Sequence, residues 1–191
     1  MTAGRGIMHA EMPHHEPPDP VTGEVKPIVG MQLWVDLPQK LKKCEPRYRD
    51  LRAKEIPSIT LDDGKVEVKV ISGQSHGVDS VQELAYTPVW LLDIRIRAGG
   101  RVTQSLPKGW NAFAYTLQGT TKFGAGKDAQ TVAQYHNVVF QQEGDVVVAE
   151  VDKEAKEESR ISKSPVHGPL VLKHLLISLQ FSLLVCRLIR R

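Results

Sequence analysis

Two residues two apart, His9 and Glu11, are the positions in this 191-residue chain whose types and spacing could do chemistry. In extended backbone successive side chains point to opposite faces, so with Ile7 to Met12 extended, His9 and Glu11 share one face while Met8 and Ala10 take the other. An imidazole beside a carboxylate suits a borderline metal such as iron or zinc. A working centre needs three or four ligands, so one His-x-Glu is half a site and two more ligands must come from elsewhere. On spacing alone the commoner meaning is a surface strand with two polar residues.

The elements that would position such a pair are strands. Asp62-Asp63-Gly64 is a turn signal, and Val66, Val68 and Val70 then alternate with Glu67 and Lys69. From Leu91 to Arg97, Leu92, Ile94 and Ile96 fall on one face and Asp93, Arg95 and Arg97 on the other, closing at Gly99-Gly100. Ala112, Ala114 and Thr116 alternate with Phe113, Tyr115 and Leu117, and Val138 to Phe140 and Val146 to Val148 complete a series of short strands between turn residues. Such a series predicts an all-β sandwich or barrel, since no long helical period competes before residue 165. Nearer the start, Met31, Leu33, Val35 and Leu37 alternate with Gln32, Trp34 and Asp36, which predicts a strand with Trp34 on its second face.

Between these lie irregular segments. Four prolines and a glycine from Pro17 to Pro27 predict a loop, and adjacent His14 and His15 read as part of it, because opposed side chains in a mobile loop make a poor chelate. Gln39 to Ile56 is crowded with charge and has no apolar period, which reads as a linker with one short helical turn. Its basic residues Lys40, Lys42, Lys43, Arg47, Arg49 and Arg52 read as solvated rather than as a phosphate-binding patch. Asp152 to Arg160 reads as a charged loop. Leu172, Leu175, Leu176, Leu179 and Leu183 make an apolar stripe at helical spacing, expected to be an amphipathic helix, and the uncharged stretch Leu175 to Cys186 is well short of the roughly 20 residues that span a bilayer.

Composition narrows the function classes. A chain of this length with 41% hydrophobic residues can bury a core and is of the soluble, globular type. Twenty-five Lys and Arg against 22 Asp and Glu, net +3, leave no clustered basic footprint, so direct nucleic-acid binding is not expected. Cys44 and Cys186 stand far apart with no Cys-x-x-Cys, which fits a reducing compartment, and the N-terminus lacks a secretion-signal pattern. The expected location is intracellular, in nucleus and/or cytoplasm.

The run Thr2-Ala-Gly-Arg-Gly-Ile-Met-His-Ala-Glu-Met-Pro13, followed by Gly30-Met-Gln-Leu-Trp-Val-Asp-Leu37, resembles the pirin family of the cupin superfamily. Glu45-Pro-Arg-Tyr48 with Ile56-Pro57 is similar to the passage between the two barrels of these bicupins. The resemblance implies an all-β fold of cupin double-stranded β-helices (jelly-roll barrels), in which the N-terminal barrel holds one iron ion, Fe(II), through three histidines and a glutamate. His9 and Glu11 match the second pair of those metal ligands. The first pair belongs to a His-Pro-His stretch upstream in the family, which has no counterpart here. The expected organisation is therefore a remnant of the N-terminal metal-binding domain at 1–45, a linker at 46–56, a complete or nearly complete metal-free C-terminal cupin domain at 57–160, and an atypical apolar tail at 161–191. Iron is expected to bind weakly or not at all, for want of the upstream pair.

Cupins carry a first motif that runs Gly, five residues, His-x-His, three or four residues, Glu, six residues, Gly. From Gly100 this frame lands on Leu106, Lys108 and Ala112 and ends at Gly119. The turn glycines are kept while leucine and alanine have no donor atom and lysine is cationic, so the second barrel is expected to hold no metal. His76 and His136 fall outside the frame and read as loop or strand-end residues. The family resemblance implies an iron-containing nuclear co-regulator that contacts transcription factors of the nuclear factor kappa B type or, as the alternative, a quercetin 2,3-dioxygenase-like enzyme with a flavonol substrate; a third reading, apart from the resemblance, is a truncated product without metal or activity.

Overall fold

The computed structural model describes residues 1–12, 17–25, 30–81 and 86–166. The described residues fall into two units: Met1–Gly6 with those from Leu37 onward form one, and those of Ile7–Asp36 the other. The first holds every strand: β1 (Ser58–Leu61), β2 (Val66–Ser72), β3 (Gln74–Ser75), β4 (Val78–Asp79), β5 (Leu91–Ile96), β6 (Arg101–Ser105), β7 (Asn111–Gln118), β8 (Thr120–Phe123), β9 (Gln130–Ala133), β10 (Asn137–Phe140), β11 (Val146–Glu150) and β12 (Ser159–Val166). Among the described residues there is no α-helix, and none of their helices is long and apolar enough to cross a membrane.

Six strands pair in the order β1-β2-β5-β12-β7-β10 and four in the order β6-β11-β8-β9, while β3 and β4 form a small hairpin. Neighbours are antiparallel but often distant in sequence, the mark of a jelly roll. The alternation read from sequence explains the core. Val66, Val68 and Val70 stand directly opposite Ile96, Ile94 and Leu92 in the β2–β5 register, all of them 0–1% exposed. Branched pairs of this kind stabilise a sheet, and burying each such side chain contributes about 1.5–3 kcal/mol. Val102, Phe123, Val132, Val147 and Ala149 of the four-stranded sheet, with Ile161 of β12, complete the same cluster. Two inner faces are thereby closed on each other.

β12 departs from the sequence expectation. The loop reading holds for 152–158, but from Ser159 the chain enters the sheet between β5 and β7. Of its buried residues, Ser159, Ser162 and Lys163 are polar and Ile161 alone among the described ones is apolar, so no apolar alternation advertises it; strand partners on both sides provide the hydrogen bonds that hold it. The outward face of β5 is also less open than alternation implies. Asp93 is buried because Arg160 of β12 donates to both carboxylate oxygens, at 2.8 and 2.7 Å. That hydrogen bond to Asp93 holds the Arg160 guanidinium above its ordinary pKa.

Upstream, Gln39–Leu41 and Ala53–Glu55 are two short 3-10 turns where one was expected. Thr2 and Arg47 exchange backbone hydrogen bonds of 2.6 and 2.9 Å, and the Arg5 amide donates to the Cys44 carbonyl at 2.9 Å. The Arg47 guanidinium lies 4.0 Å from the centre of the Tyr86 ring, so part of the basic cluster packs rather than floats in solvent.

In the second unit, neither 7–12 nor 32–36 is paired as a strand, contrary to the alternation. Period two shows which side chains share a face; it does not supply a ladder partner. The expected loop is present around Asp19, whose carboxylate accepts from the Val21 and Thr22 amides at 2.8 and 2.9 Å. His14 and His15, and the Leu-rich stripe from Leu172, lie outside the described residues.

Candidate metal centre

His9 and Glu11 are brought together as their spacing requires. His9 Nε2 lies 3.3 Å from Glu11 Oε1, with the imidazole side chain 20% and the carboxylate side chain 53% exposed. A carboxylate only accepts, so the proton of this contact sits on Nε2. The amide of Gln32 donates to the other oxygen, Oε2, of Glu11. The Trp34 indole N–H in turn donates to Gln32 Oε1 at 3.2 Å, which fixes which end of that amide faces the carboxylate. The result is a four-membered chain, His9–Glu11–Gln32–Trp34, within the second unit. Gln32 and Trp34 were legible only as members of an alternating run; the signal for their role is a Gln-x-Trp with the same two-residue spacing as His-x-Glu.

The pair fits a divalent ion in type and spacing. Atoms bound about 2.0–2.2 Å from one ion at tetrahedral to octahedral angles stand roughly 3.0–3.4 Å apart, so an ion would replace the shared proton with little movement. Glu11 would also arrive oriented, since ligating carboxylates are commonly hydrogen-bonded from behind. The ligand count is short, however. Among the described residues no three His, Cys, Asp or Glu side chains come together.

The motif frame in the barrel has the opposite character. Gly119 has φ +67°, and a Cβ there would stand 2.7 Å from the Glu158 carbonyl, so the tight β7–β8 turn requires glycine. The three positions between the glycines offer no donor set: Leu106 packs partly against the core, Lys108 is exposed and Ala112 is buried. One cation does enter the interior. Lys163, 1% exposed, faces inward from β12 between Leu92 of β5 and Ala114 of β7, its Nζ 5.6 Å from the centre of the Phe140 ring and without a hydrogen-bond partner among the described residues. Desolvation lowers its pKa to about 7. Nothing in Ile161-Ser-Lys-Ser164 signalled this, because the strand itself was not legible.

Two antiparallel sheets closed face to face in jelly-roll order, with the glycine frame of the metal-binding motif kept, define a cupin. Residues 91–160 match the pirin C-terminal cupin domain. The chain is 36% identical to human pirin over 178 residues, covering 90% of this chain and 57% of that protein, and 37% identical to pirin-1 of Arabidopsis thaliana over 140 residues, covering 73% and 44%. It is also similar to the crystal structure of GK1651 from Geobacillus kaustophilus, with a TM-score of 0.60 at 28% identity over 72% of this chain and 54% of that one. A quercetin 2,3-dioxygenase from Acinetobacter baumannii, at TM-score 0.61 and 22% identity over 70% and 43%, shares the fold. The chain carries the pirin C-terminal cupin domain and is similar to pirins over most of its length, and it spans about half the length of the curated relatives it matches.

Proposed function

We propose that this chain carries part of the iron centre of a pirin-type cupin and acts as a nuclear co-regulator, through protein contacts with a transcription factor. The observation that supports the reading is the His9–Glu11 pair, with a bite suited to one ion and a carboxylate oriented by Gln32. His9 Nε2 and a Glu11 oxygen are the atoms that would hold iron, whose Lewis acidity and open coordination positions supply the chemistry when it is bound. Glu11 keeps its orientation through Gln32, and Trp34 holds Gln32. The near-neutral charge balance agrees with a protein partner rather than a nucleic acid.

The pair also supports a second reading, a quercetin 2,3-dioxygenase-like oxidoreductase, because imidazole and carboxylate together are the donors of oxygen-activating iron sites. Anaerobic Fe(II) titration of the chain and of His9→Ala tests the shared part: uptake that is unchanged in His9→Ala removes both readings. Oxygen consumption with quercetin favours the second. Retention of a transcription factor of the nuclear factor kappa B type, lost on iron removal, favours the first.

A further inference from the structure

A cavity of about 240 Å³ opens beside the β3–β4 hairpin, lined by Gln74, Ser75, His76, Trp90, Thr103 and Ser105. His76 and Gly77 are the two turn residues, both with positive φ, 47° and 79°, the backbone of a two-residue hairpin turn. Gly73, at φ +89°, admits the indole of Trp90; a Cβ there would stand 2.2 Å from Trp90 Cγ.

Proton accounting fixes the polar wall. The Gln104 amide nitrogen donates to the Ser105 carbonyl at 2.8 Å and, longer, to that of Gln74 at 3.4 Å, so Oε1 must be the end that faces Ser75. Ser75 Oγ therefore donates to Gln104 Oε1, at 2.7 Å. Having spent its only proton, Ser75 Oγ accepts from His76 Nδ1 at 2.9 Å, which makes Nδ1 the protonated nitrogen. In the neutral imidazole, His76 Nε2 is then left with its lone pair. Ser75 and Gln104 are 1% and 3% exposed, so this orientation is built into the wall rather than set by solvent.

Among the described residues the lining has no Asp, Glu, Lys or Arg side chain, so an ionic ligand would find no counter-charge from them. It offers instead hydroxyls at Thr103 and Ser105, the imidazole acceptor and one indole. Drug-sized ligands occupy pockets of roughly 300 Å³ upward, so this cavity holds a single ring. Vicinal hydroxyls on such a ring each donate and accept, matching a wall where hydroxyls alternate with a fixed acceptor, and its C–H face suits the indole. We infer that this cavity is a binding site for a neutral polyhydroxylated ring of monosaccharide size, with His76 Nε2 accepting from a ring hydroxyl. The site is independent of the iron reading.

The test uses the intact chain and nuclear magnetic resonance. In the free protein the imidazole nitrogen shifts of His76 should report the Nδ1–H tautomer; an Nε2–H tautomer would overturn the argument at its base. Titration with the methyl glycosides of glucose, galactose and mannose should give saturable shifts at His76 Nε2 and the Ser75 and Ser105 amides for at least one of them. Thr103→Val and His76→Asn, the latter compatible with a positive-φ turn position, should weaken that binding by about tenfold for a lost hydrogen bond. Absence of saturable shifts, equal binding by both variants, or stronger binding of phenol or glucose 6-phosphate would reject the proposal.

Discussion

Polar groups are held in place by opposite means in the barrel and in the Ile7–Asp36 segment. In the barrel, Asp93 and Arg160 meet because β5 and β12 are locked in register, and Thr121 and Ser159, hydrogen-bonded and fully buried, sit on strands of different sheets. Their geometry is set by backbone ladders and by the apolar cluster beneath. Among the described residues, the side chains of His9, Glu11, Gln32 and Trp34 are linked by hydrogen bonds to one another, along stretches that belong to no strand. Side chains on rigid elements are placed more closely than side chains on loops. The barrel thus has strong positioning without ligands in its motif frame, and the segment has ligands with weak positioning.

The largest expected effect tests a place where the barrel holds a polar group badly. Lys163 keeps its proton up to about 10.5 when the chain is unfolded and only to about 7 in the barrel. Between these values the unfolded chain binds more protons, so stability rises with pH; below about 7 the whole cost of the buried ammonium is present, and above about 10.5 it is gone. Leu92, Ala114 and Phe140 around it bring no countercharge; the Phe140 ring face offsets a part. Lys163→Met should therefore stabilise the barrel at pH 6, by up to about 5 kcal/mol, and progressively less towards pH 10. Urea unfolding across that range checks it; a pH-independent gain would show that the ammonium is not the cause.

Next comes the core itself. Ile94→Ala removes a side chain that is 1% exposed from the centre of β5, opposite Val68 and Ile161. A loss of about 3–4 kcal/mol is expected, with the denaturant slope unchanged. Asp93→Asn should cost less, about 1–2 kcal/mol, because Arg160 is 38% exposed and regains water when its partner's charge is removed.

The same contrast explains what was legible in the sequence. β2 and β5 could be read because valine, isoleucine and leucine alternate with polar residues, and that alternation is itself the core; β11 could be read from its run of three valines after a turn. β6, β8, β9 and β12 could not, since residues such as Gln104, Thr121, Ser159 and Lys163 are polar and yet buried, and their places are set by partners distant in sequence. His9 and Glu11 were legible because both donors lie within three residues. Gln32 lies 21 positions from Glu11, and no local spacing encodes that meeting. His76 read as a loop residue, which its turn position bears out; its orientation depends on Gln104, reached through Ser75 from 29 positions away.

The smallest effect on stability belongs to the metal pair, and it is the sharpest test of the comparison. Glu11 is half exposed and, among the described residues, its side chain bonds to His9 and Gln32, so replacing it leaves no buried group unsatisfied. His9→Ala and Glu11→Gln should each change unfolding stability by no more than about 0.5 kcal/mol. Their effect on metal should be large in proportion: two donors leave a divalent ion mostly hydrated, and removing either leaves a monodentate contact that a weak chelator strips. Gln32→Ala should fall between, leaving both donors but freeing the Glu11 carboxylate, at a cost of about tenfold or more in Fe(II) or Zn(II) affinity by calorimetry. If Gln32→Ala binds metal as well as the parent chain, the hydrogen-bond chain through Trp34 does not orient the site. If Glu11→Gln unfolds the protein, the segment is held by its polar contacts to a degree that its lack of a ladder does not predict.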